Sequence, residues 1–401
     1  MKNSIDQIDF AGKRALIRVD FNVPLNDELK ITDDARMRAA LPTINKIINE
    51  GGSVVLMSHL GRPKNGPENK FSLQHLVQHL SSLTGVEVLF SDNCIGQIAK
   101  EMSSSLKPGQ ILLLENLRFH PEEKAGDTEF ARQLAEHGDI YVNDAFGTAH
   151  RAHASTAIIA QYFPTAKCFG YIIDRELQFA DKVLKQPQKP FTAIVGGAKV
   201  SDKLLILENL MDVADTILIG GGMSYTFIKA QGGAIGNSLC EDDRLALCTN
   251  LLTKAADKGV NLVLPEDSVV ADNFAADANT QIVQSNEIEN GWMGLDIGPK
   301  AIEEYGQIIS NSKTVLWNGP MGVFEMDAFA AGTKAVAEKV AESTKKGGMS
   351  LIGGGDSAAA IKKFNLVDEV SHVSTGGGAL LEYFEGKVLP GVAAVLEGSL
   401  G

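Results

Sequence analysis

Short apolar runs of strand length recur along the chain, each ending in a loop, with helical periodicity in the intervals. In the first half the runs are ALIRV, SVVLM, ILLL and IYV. The loops that belong to them, RVDFNVP, SHLGRP, ENLRFH and NDAFGTAHRAH, carry arginine and histidine. In the second half the runs are FTAIV, TILI, NLVL, KTVLW, MSLI and VSHV. Four of the six loops behind them are glycine clusters, at Gly196-Gly197, Gly220–Gly222, Gly353–Gly355 and Gly376–Gly378, and the other two read PEDS and NGPMGVFE. Between the runs, residues 73–84 place Leu73, Leu76, Val77, Leu80 and Leu83 on one helical face behind a Ser72 cap. Residues 127–138 open with an acidic turn and stop at Gly138. Residues 33–52 predict a helix headed by Thr32 or Asp33 and ended by Gly51-Gly52, with Pro42 bending or splitting it. Strand–helix alternation of this kind predicts an α/β protein with doubly wound parallel sheets, helices covering both faces.

A chain of 401 residues exceeds the size at which one core keeps growing, so two domains are expected. The division falls in residues 171–190, read as a connecting helix followed by a linker in which Pro187 and Pro190 forbid helix. This gives a first domain over 1–170 and a second over 191–385. The segment 386–401 is surplus to the second sheet and is expected to pack back on the first domain. A formal net charge of −13 excludes nucleic acid and anionic membranes as partners, since both call for a basic face. Any anionic substrate must then be captured locally. Cys94, Cys168, Cys240 and Cys248 show no C-x-x-C spacing and read as free thiols. No apolar leader or membrane-length run is present, so a cytoplasmic protein is expected, and a monomer is expected beside it.

The loops divide the chemistry. Eight of the ten arginines precede residue 152, whereas 28 of the 40 glycines follow residue 195. Arginine forks suit a small, densely anionic ligand. Glycine loops let backbone N–H groups approach nucleotide phosphates, although tight helix–sheet packing explains any single cluster equally well. Neither a G-x-x-x-x-G-K-[ST] loop nor a G-x-G-x-x-G turn occurs, which counts against a P-loop protein and a nicotinamide-dependent oxidoreductase. A bilobed binding protein without catalysis remains as a rival, but such proteins usually carry an export signal. Lys199 and Lys203 fall four apart, read as one face of a first helical turn aimed at a phosphate, or as two solvated lysines. Asp356 and Ser357 form either an N-cap pair or, through Asp356, a magnesium contact. Glu325 is either a surface carboxylate or an acceptor for a ribose hydroxyl. No covalent nucleophile is evident; His150 and His153, three apart, are compatible with a metal but far more often structural, and no cysteine or H-x-x-x-H pattern supports zinc.

The segments RVDFNVP, SHLGRP, LLLENLRFH, NDAFGTAHRAH, GGAKVSDK, GGGMSYTF, WNGPMGVFE, GGGDS and STGGGALLE resemble, in order and spacing, the successive motifs of the phosphoglycerate kinase family, over essentially the whole chain. The resemblance implies two doubly wound domains facing a cleft and joined by a hinge helix. It implies direct, magnesium-dependent phosphoryl transfer from 1,3-bisphosphoglycerate to ADP after hinge closure, giving 3-phosphoglycerate and ATP. By motif, Asp20, Phe21, Asn22, Arg36, His59, Leu60, Gly61, Arg62, Arg118 and Arg151 correspond to the triose site. Gly197, Ala198, Lys199, Lys203, Gly220, Gly221, Gly222, Asn318, Pro320, Gly322, Val323, Glu325, Gly354, Gly355, Asp356 and Ser357 correspond to the nucleotide site, with Asp356 toward Mg2+. Arg36, Lys199, Lys203 and the amides around Gly355 and Gly378 resemble the groups that stabilise the transferring phosphoryl.

Overall fold

A computed structural model describes residues 3–64 and 66–397. The chain separates into two compact units, one formed by Met1–Gln178 with Val388–Gly401 and the other by Phe179–Lys387. The first unit is built on a parallel sheet of six strands, β1 (Arg14–Arg18), β2 (Ser53–Met57), β3 (Val88–Ser91), β4 (Ile111–Leu114), β5 (Ile140–Asn143) and β6 (Lys167–Phe169), in the order β3-β4-β2-β1-β5-β6. Every residue of β2 and β4 is buried, as expected of strands covered on both faces. Arg18 at the end of β1 stands opposite Met57 on one side and Asn143 on the other. The loops that follow β1, β2 and β5 therefore leave the sheet side by side, at its carboxyl edge. That edge is where open parallel sheets bind ligands.

The second unit repeats the plan with β7 (Phe191–Val195), β8 (Thr216–Ile219), β9 (Asn261–Val263), β10 (Thr314–Asn318), β11 (Met349–Gly353) and β12 (His372–Val373), all parallel, in the order β9-β8-β7-β10-β11-β12. Asn318 pairs with Val195 and with Gly353, so the loops after β7, β10 and β11 also emerge together. Trp317 and Tyr305 are fully buried in this core with Ile194, Leu218, Val315 and Ile352. An antiparallel sheet of three strands, Asp267–Ala271, Thr280–Gln284 and Met293–Ile297, is added to the parallel frame. Alternation in these strands is weak, because the Thr280–Gln284 edge is largely exposed, and no sequence pattern announced it.

The helix expected over 33–52 runs unbroken through Ala35–Asn49 with Pro42 inside it. Met37, Ala40, Ile44 and Ile47 bury one face on the first core, and that packing outweighs the lost backbone bond at Pro42. Asp33 accepts a hydrogen bond from the Ala35 N–H (2.9 Å), but Asp34 occupies the cap position. Ser72 accepts from the Gln74 N–H at the head of Leu73–Leu76 and the helix Val77–Thr84, which ends at left-handed Gly85. The connecting helix spans Tyr171–Lys185, and the division between units falls within it, after Gln178. Ile173 and Leu177 are buried, while Phe179 stacks on His372, 4.7 Å between ring centres.

The helix Pro390–Leu396 belongs to the first unit. Gly391 donates to the Ala149 carbonyl (2.8 Å) and accepts from Asn143 Nδ2 (3.1 Å). Lys167 Nζ reaches the Ala394 carbonyl (2.8 Å), and Asn3 Nδ2 reaches that of Val395 (2.7 Å). The four cysteines are free, and Cys94, Cys168 and Cys248 are buried. Among the described residues no helix is long and apolar enough to cross a membrane.

Candidate active site

The carboxyl edge of the first sheet collects the basic side chains. Arg18 ends β1 yet is only 1% exposed, its Nε donating to Ser155 Oγ (2.9 Å) and its Nη2 lying 3.1 Å from His59 Nδ1. Arg36 enters from the first turn of its helix and pairs with Asp20 (2.8 Å). Arg118 donates to the Gly61 carbonyl (2.8 Å), while the Gly61 N–H donates to Asn22 Oδ1 (2.8 Å). Asn116 fixes the same turn, donating to the carbonyls of Leu60 (2.7 Å) and Phe71 (2.8 Å). Arg151 Nε donates to His150 Nε2 (3.2 Å).

The electrostatics of this edge are strained by like charge. Burial, then Arg18 and Arg151, bring Arg118 down to about 10, an unusual depression for a guanidinium. Burial and the charges of Arg18, Arg118, Arg36 and Arg151 hold His59 well below its ordinary range. Burial, then Arg118, Arg151 and Arg18, lower His153 to about 4. Cations gathered at this density ask for an anion. The one buried carboxylate among them, Glu123, is engaged by Ser155 through Oγ (2.6 Å) and N–H (3.0 Å).

In the second unit the carboxyl edge is built from backbone. A Cβ on Gly196 would lie 2.1 Å from the Pro320 carbonyl, and one on Gly319 2.1 Å from the Gly196 carbonyl. The loops after β7 and β10 thus touch main chain to main chain, and Gly319 sits at φ +100°. Ser357 is fully buried and its Oγ accepts from the Gly319 N–H (2.6 Å), holding that loop from the β11 side. Lys203 Nζ donates to Asn318 Oδ1, and burial lowers its proton affinity. Beside these loops lies a cleft of about 510 Å3 lined by Gly197, Ala198, Gly221, Gly222, Pro320, Gly322, Val323, Glu325 and Asp356, and by the side chains of Tyr225, Leu239, Phe274, Met293 and Leu295. Its size suits a ligand of several hundred daltons, with an apolar wall on one side and glycine backbone with two carboxylates on the other.

The family model described as phosphoglycerate kinase matches residues 5–387. The chain is 54% identical to the phosphoglycerate kinase of Porphyromonas gingivalis, over 98% of this chain and 99% of that one. It is also 54% identical to the cytosolic phosphoglycerate kinase of Nicotiana tabacum, covering 98% and 97% respectively. The solved structure of phosphoglycerate kinase from Coxiella burnetii matches with a TM-score of 0.89 at 42% identity over 98% of both chains. That from Pyrococcus horikoshii gives 0.80 at 30% identity over 99% of both. The chain belongs to the phosphoglycerate kinase family.

Membership makes it a transferase, a kinase of glycolysis, and the residues first singled out by motif can be followed into the phosphoglycerate kinase fold. The structure gathers Asp20, Asn22, Arg36, His59, Gly61, Arg118 and Arg151 at one sheet edge. Phe21 and Leu60 are there too, but their side chains are buried in the core, leaving only backbone to face outward. Arg62 is exposed and makes no side-chain hydrogen bond or ion pair among the described residues. Lys199 and Lys203 do not share a helical turn as expected: the helix begins at Leu204, because Val200 is buried and its carbonyl takes the Lys203 N–H in a separate turn. Lys199 stays exposed in that loop while Lys203 turns toward Asn318. Asp356 and Ser357 are not an N-cap pair either, since Gly354 holds the cap position at φ +87°. Gly220 is enclosed by Met321 and packs rather than lines the cleft.

Sequence reasoning passed over Arg18 and Glu123 in the first unit, and weighed His153 only as a metal ligand or structural histidine. A charged residue inside the otherwise apolar run ALIRV was the available signal for Arg18. Tyr225, Leu239, Phe274, Met293 and Leu295 in the second unit were missed as well. Phe274 (56% exposed) and Leu239 (49%) are large apolar groups left in solvent, a property of the folded chain that a motif search cannot see.

Asp356 has the chemistry of a single carboxylate contact to a divalent cation. Asp356 points an exposed carboxylate at the cleft from the first turn of the helix Gly355–Lys363. Among the described residues no three His, Cys, Asp or Glu side chains gather to hold a metal alone. That donor set matches Mg2+ bound chiefly through phosphate oxygens and water.

Proposed function

We propose that this chain transfers a phosphoryl group reversibly between 1,3-bisphosphoglycerate and ADP, with the triose held on the arginine edge of the first unit and the nucleotide in the cleft of the second. The observation that carries the reading is the gathering of Arg18, Arg36, Arg118 and Arg151 at one sheet edge, more cations than Glu123 and Asp20 neutralise. The acceptor is an ionised phosphate in one direction and a carboxylate in the other, so neither needs a general base. What the residues supply is position and charge. Arg36, Arg118 and Arg151 take the triose phosphate and carboxylate through forked bonds, and Asn22 braces the Gly61 turn beside them. His59 Nδ1 faces the Arg18 guanidinium, which leaves the imidazole neutral with its proton on Nε2. Lys199, Lys203 and the amides near Gly355 and Gly378 stabilise the group in flight, and the glycine loops admit the nucleotide phosphates to backbone N–H groups. When bound, Mg2+ at Asp356 neutralises charge on the nucleotide phosphates. Transfer needs reacting atoms about 3–3.5 Å apart, and a hinge motion about the Tyr171–Lys185 helix, excluding water as it closes, would bring that about. The same reading takes the protein as a cytoplasmic monomer.

A coupled assay tests this directly: ATP should be consumed only when 3-phosphoglycerate is present. Turnover without it, or none with it, overturns the assignment. Because Asp356 makes no cap bond, Asp356→Asn should leave folding intact while raising the magnesium concentration needed for half-maximal rate, by about tenfold. An unaltered magnesium titration removes Asp356 from the metal site.

Binding should also be linked to protons. The arginines that depress His153 would be neutralised by the bound anion, so its proton affinity rises in the complex. Protonated, it would face Glu123 Oε1 at 3.9 Å. In calorimetry of 3-phosphoglycerate binding near pH 6, in buffers of different ionisation heat, the parent should take up more protons, or release fewer, than a His153→Gln variant.

A further inference from the structure

The order of donors and acceptors behind the basic edge points to a source. Glu123, on the short helix Pro121–Ala125, gives both carboxylate oxygens to one residue: Oε1 accepts from Ser155 Oγ (2.6 Å) and Oε2 from the Ser155 N–H (3.0 Å). Having given its only hydroxyl proton to Glu123, Ser155 Oγ can only accept from Arg18 Nε (2.9 Å). Arg18 is then locked, Nη1 on the Val19 carbonyl and Nη2 on His59 Nδ1 (3.1 Å). Since Nδ1 accepts, the His59 proton lies on Nε2. Glu123, Ser155, Arg18 and His59 are 1%, 0%, 1% and 4% exposed, so water does not compete for these bonds. The polarity of the whole chain of contacts starts at one carboxylate.

We propose that Glu123 and Ser155 are positioning residues for the triose site, acting through Arg18 to fix the guanidinium plane and the imidazole tautomer that face the substrate. This rests on the reading of the arginine edge as the triose site. A plainer role for Glu123 is charge neutralisation among the arginines, and the two roles have opposite consequences. If Glu123 only cancels charge, removing it makes the edge more positive and an anion binds more tightly. If it positions, removal frees Ser155 to turn its hydroxyl away from the carboxylate, Arg18 loses its acceptor, and the anion binds more weakly.

Glu123→Gln keeps the shape, but an amide offers one acceptor where the carboxylate offers two, so it can no longer accept from both Oγ and N–H of Ser155, and the polarity that fixes Arg18 is lost. The expected result is a rise of about tenfold or more in KM for 3-phosphoglycerate, with KM for ATP changed by less than about twofold and little change in kcat. Ser155→Ala, which keeps the charge of Glu123 and its bond to the backbone N–H, should give a similar rise. The double variant should lose no more than either single one, because both act through the same bond. Melting temperatures confirm that each variant is folded, and if Glu123→Gln does not fold, Ser155→Ala decides alone. An unchanged or lowered triose KM in the folded variants overturns the proposal, as does an equal rise for both substrates. Arg36→Ala separates the two levels. If it leaves triose binding intact, the site reading itself fails. If it weakens binding while the Glu123 and Ser155 variants do not, only the positioning pair fails.

Discussion

Alanine at Arg36 should weaken 3-phosphoglycerate binding by about ten- to a hundredfold and leave ADP binding nearly unchanged. Two effects combine at this residue. A charge-assisted contact to the ligand is lost, worth about 1.5–3 kcal/mol. In addition Asp20, which Arg36 pairs with at 2.8 Å, becomes an uncompensated carboxylate beside the anion. The second effect predicts a partial rescue: Asp20→Asn in the Arg36→Ala background should regain part of the affinity. ADP serves as the internal control, because the residues proposed to hold it belong to the second unit. Calorimetry with each ligand separately makes the comparison. Equal loss for both ligands would show that Arg36 supports the fold as a whole rather than one site.

Gly319→Ala should damage the second unit more than any substitution at its exposed loops. The added methyl group would sit 2.1 Å from the carbonyl oxygen and 2.4 Å from the carbonyl carbon of Gly196, and backbone cannot swing aside as a side chain would. The residue also holds φ at +100°, outside the conformations that alanine favours. Strain of about 1–3 kcal/mol from the backbone and a similar amount from overpacking should add. Melting of this unit should therefore fall by about 5–20 °C, with loss of ADP affinity as the loop shifts. Gly355→Ala is the matched control, because nothing lies within 4 Å of its would-be methyl group and it begins a helix. That variant should be neutral or slightly stabilising. A melting curve for Gly319→Ala that matches the parent would mean the loops after β7 and β10 are not locked together.

The parallel frames were legible because their strands are buried on both faces and so read as unbroken apolar runs. FTAIV, KTVLW and MSLI could hardly be anything else between helices. The edge strands Val88–Ser91 and Lys167–Phe169 lead into neither an arginine–histidine loop nor a glycine cluster, so the pattern that marked the other strands is missing, and the antiparallel addition has an exposed edge that mixes Thr280, Gln281 and Gln284 with Ile282 and Val283. The site divided along the same line. Arg118, His59 and Asp356 could be named because a basic or acidic group at a strand end or helix start is conspicuous, whereas Arg36 came only from the resemblance to the family. Lys203 could be named but not oriented, since its direction depends on Asn318, which comes from a strand over a hundred residues later. Glu123 follows another glutamate in HPEEKAG, and nothing in the sequence singles it out. Only the approach of Ser155, 32 positions away, shows that it is the acidic member of a buried set. Pro42 illustrates the reverse error, a local rule overruled by the apolar face on which its helix lies.

The helix Pro390–Leu396 has a consequence for biosynthesis. Asn3, Asn143, Ala149 and Lys167 all take hydrogen-bond partners from residues 391–395. The first unit is therefore discontinuous in sequence, while the second is one uninterrupted stretch, Phe179–Lys387. On the ribosome the order of completion should invert the order of synthesis. The amino-terminal sheet can form early but must wait, its last helix missing, until everything in between has been translated, whereas the later unit has all its residues before the earlier one does. A released chain truncated just short of residue 390 would carry a complete second unit beside an unfinished first.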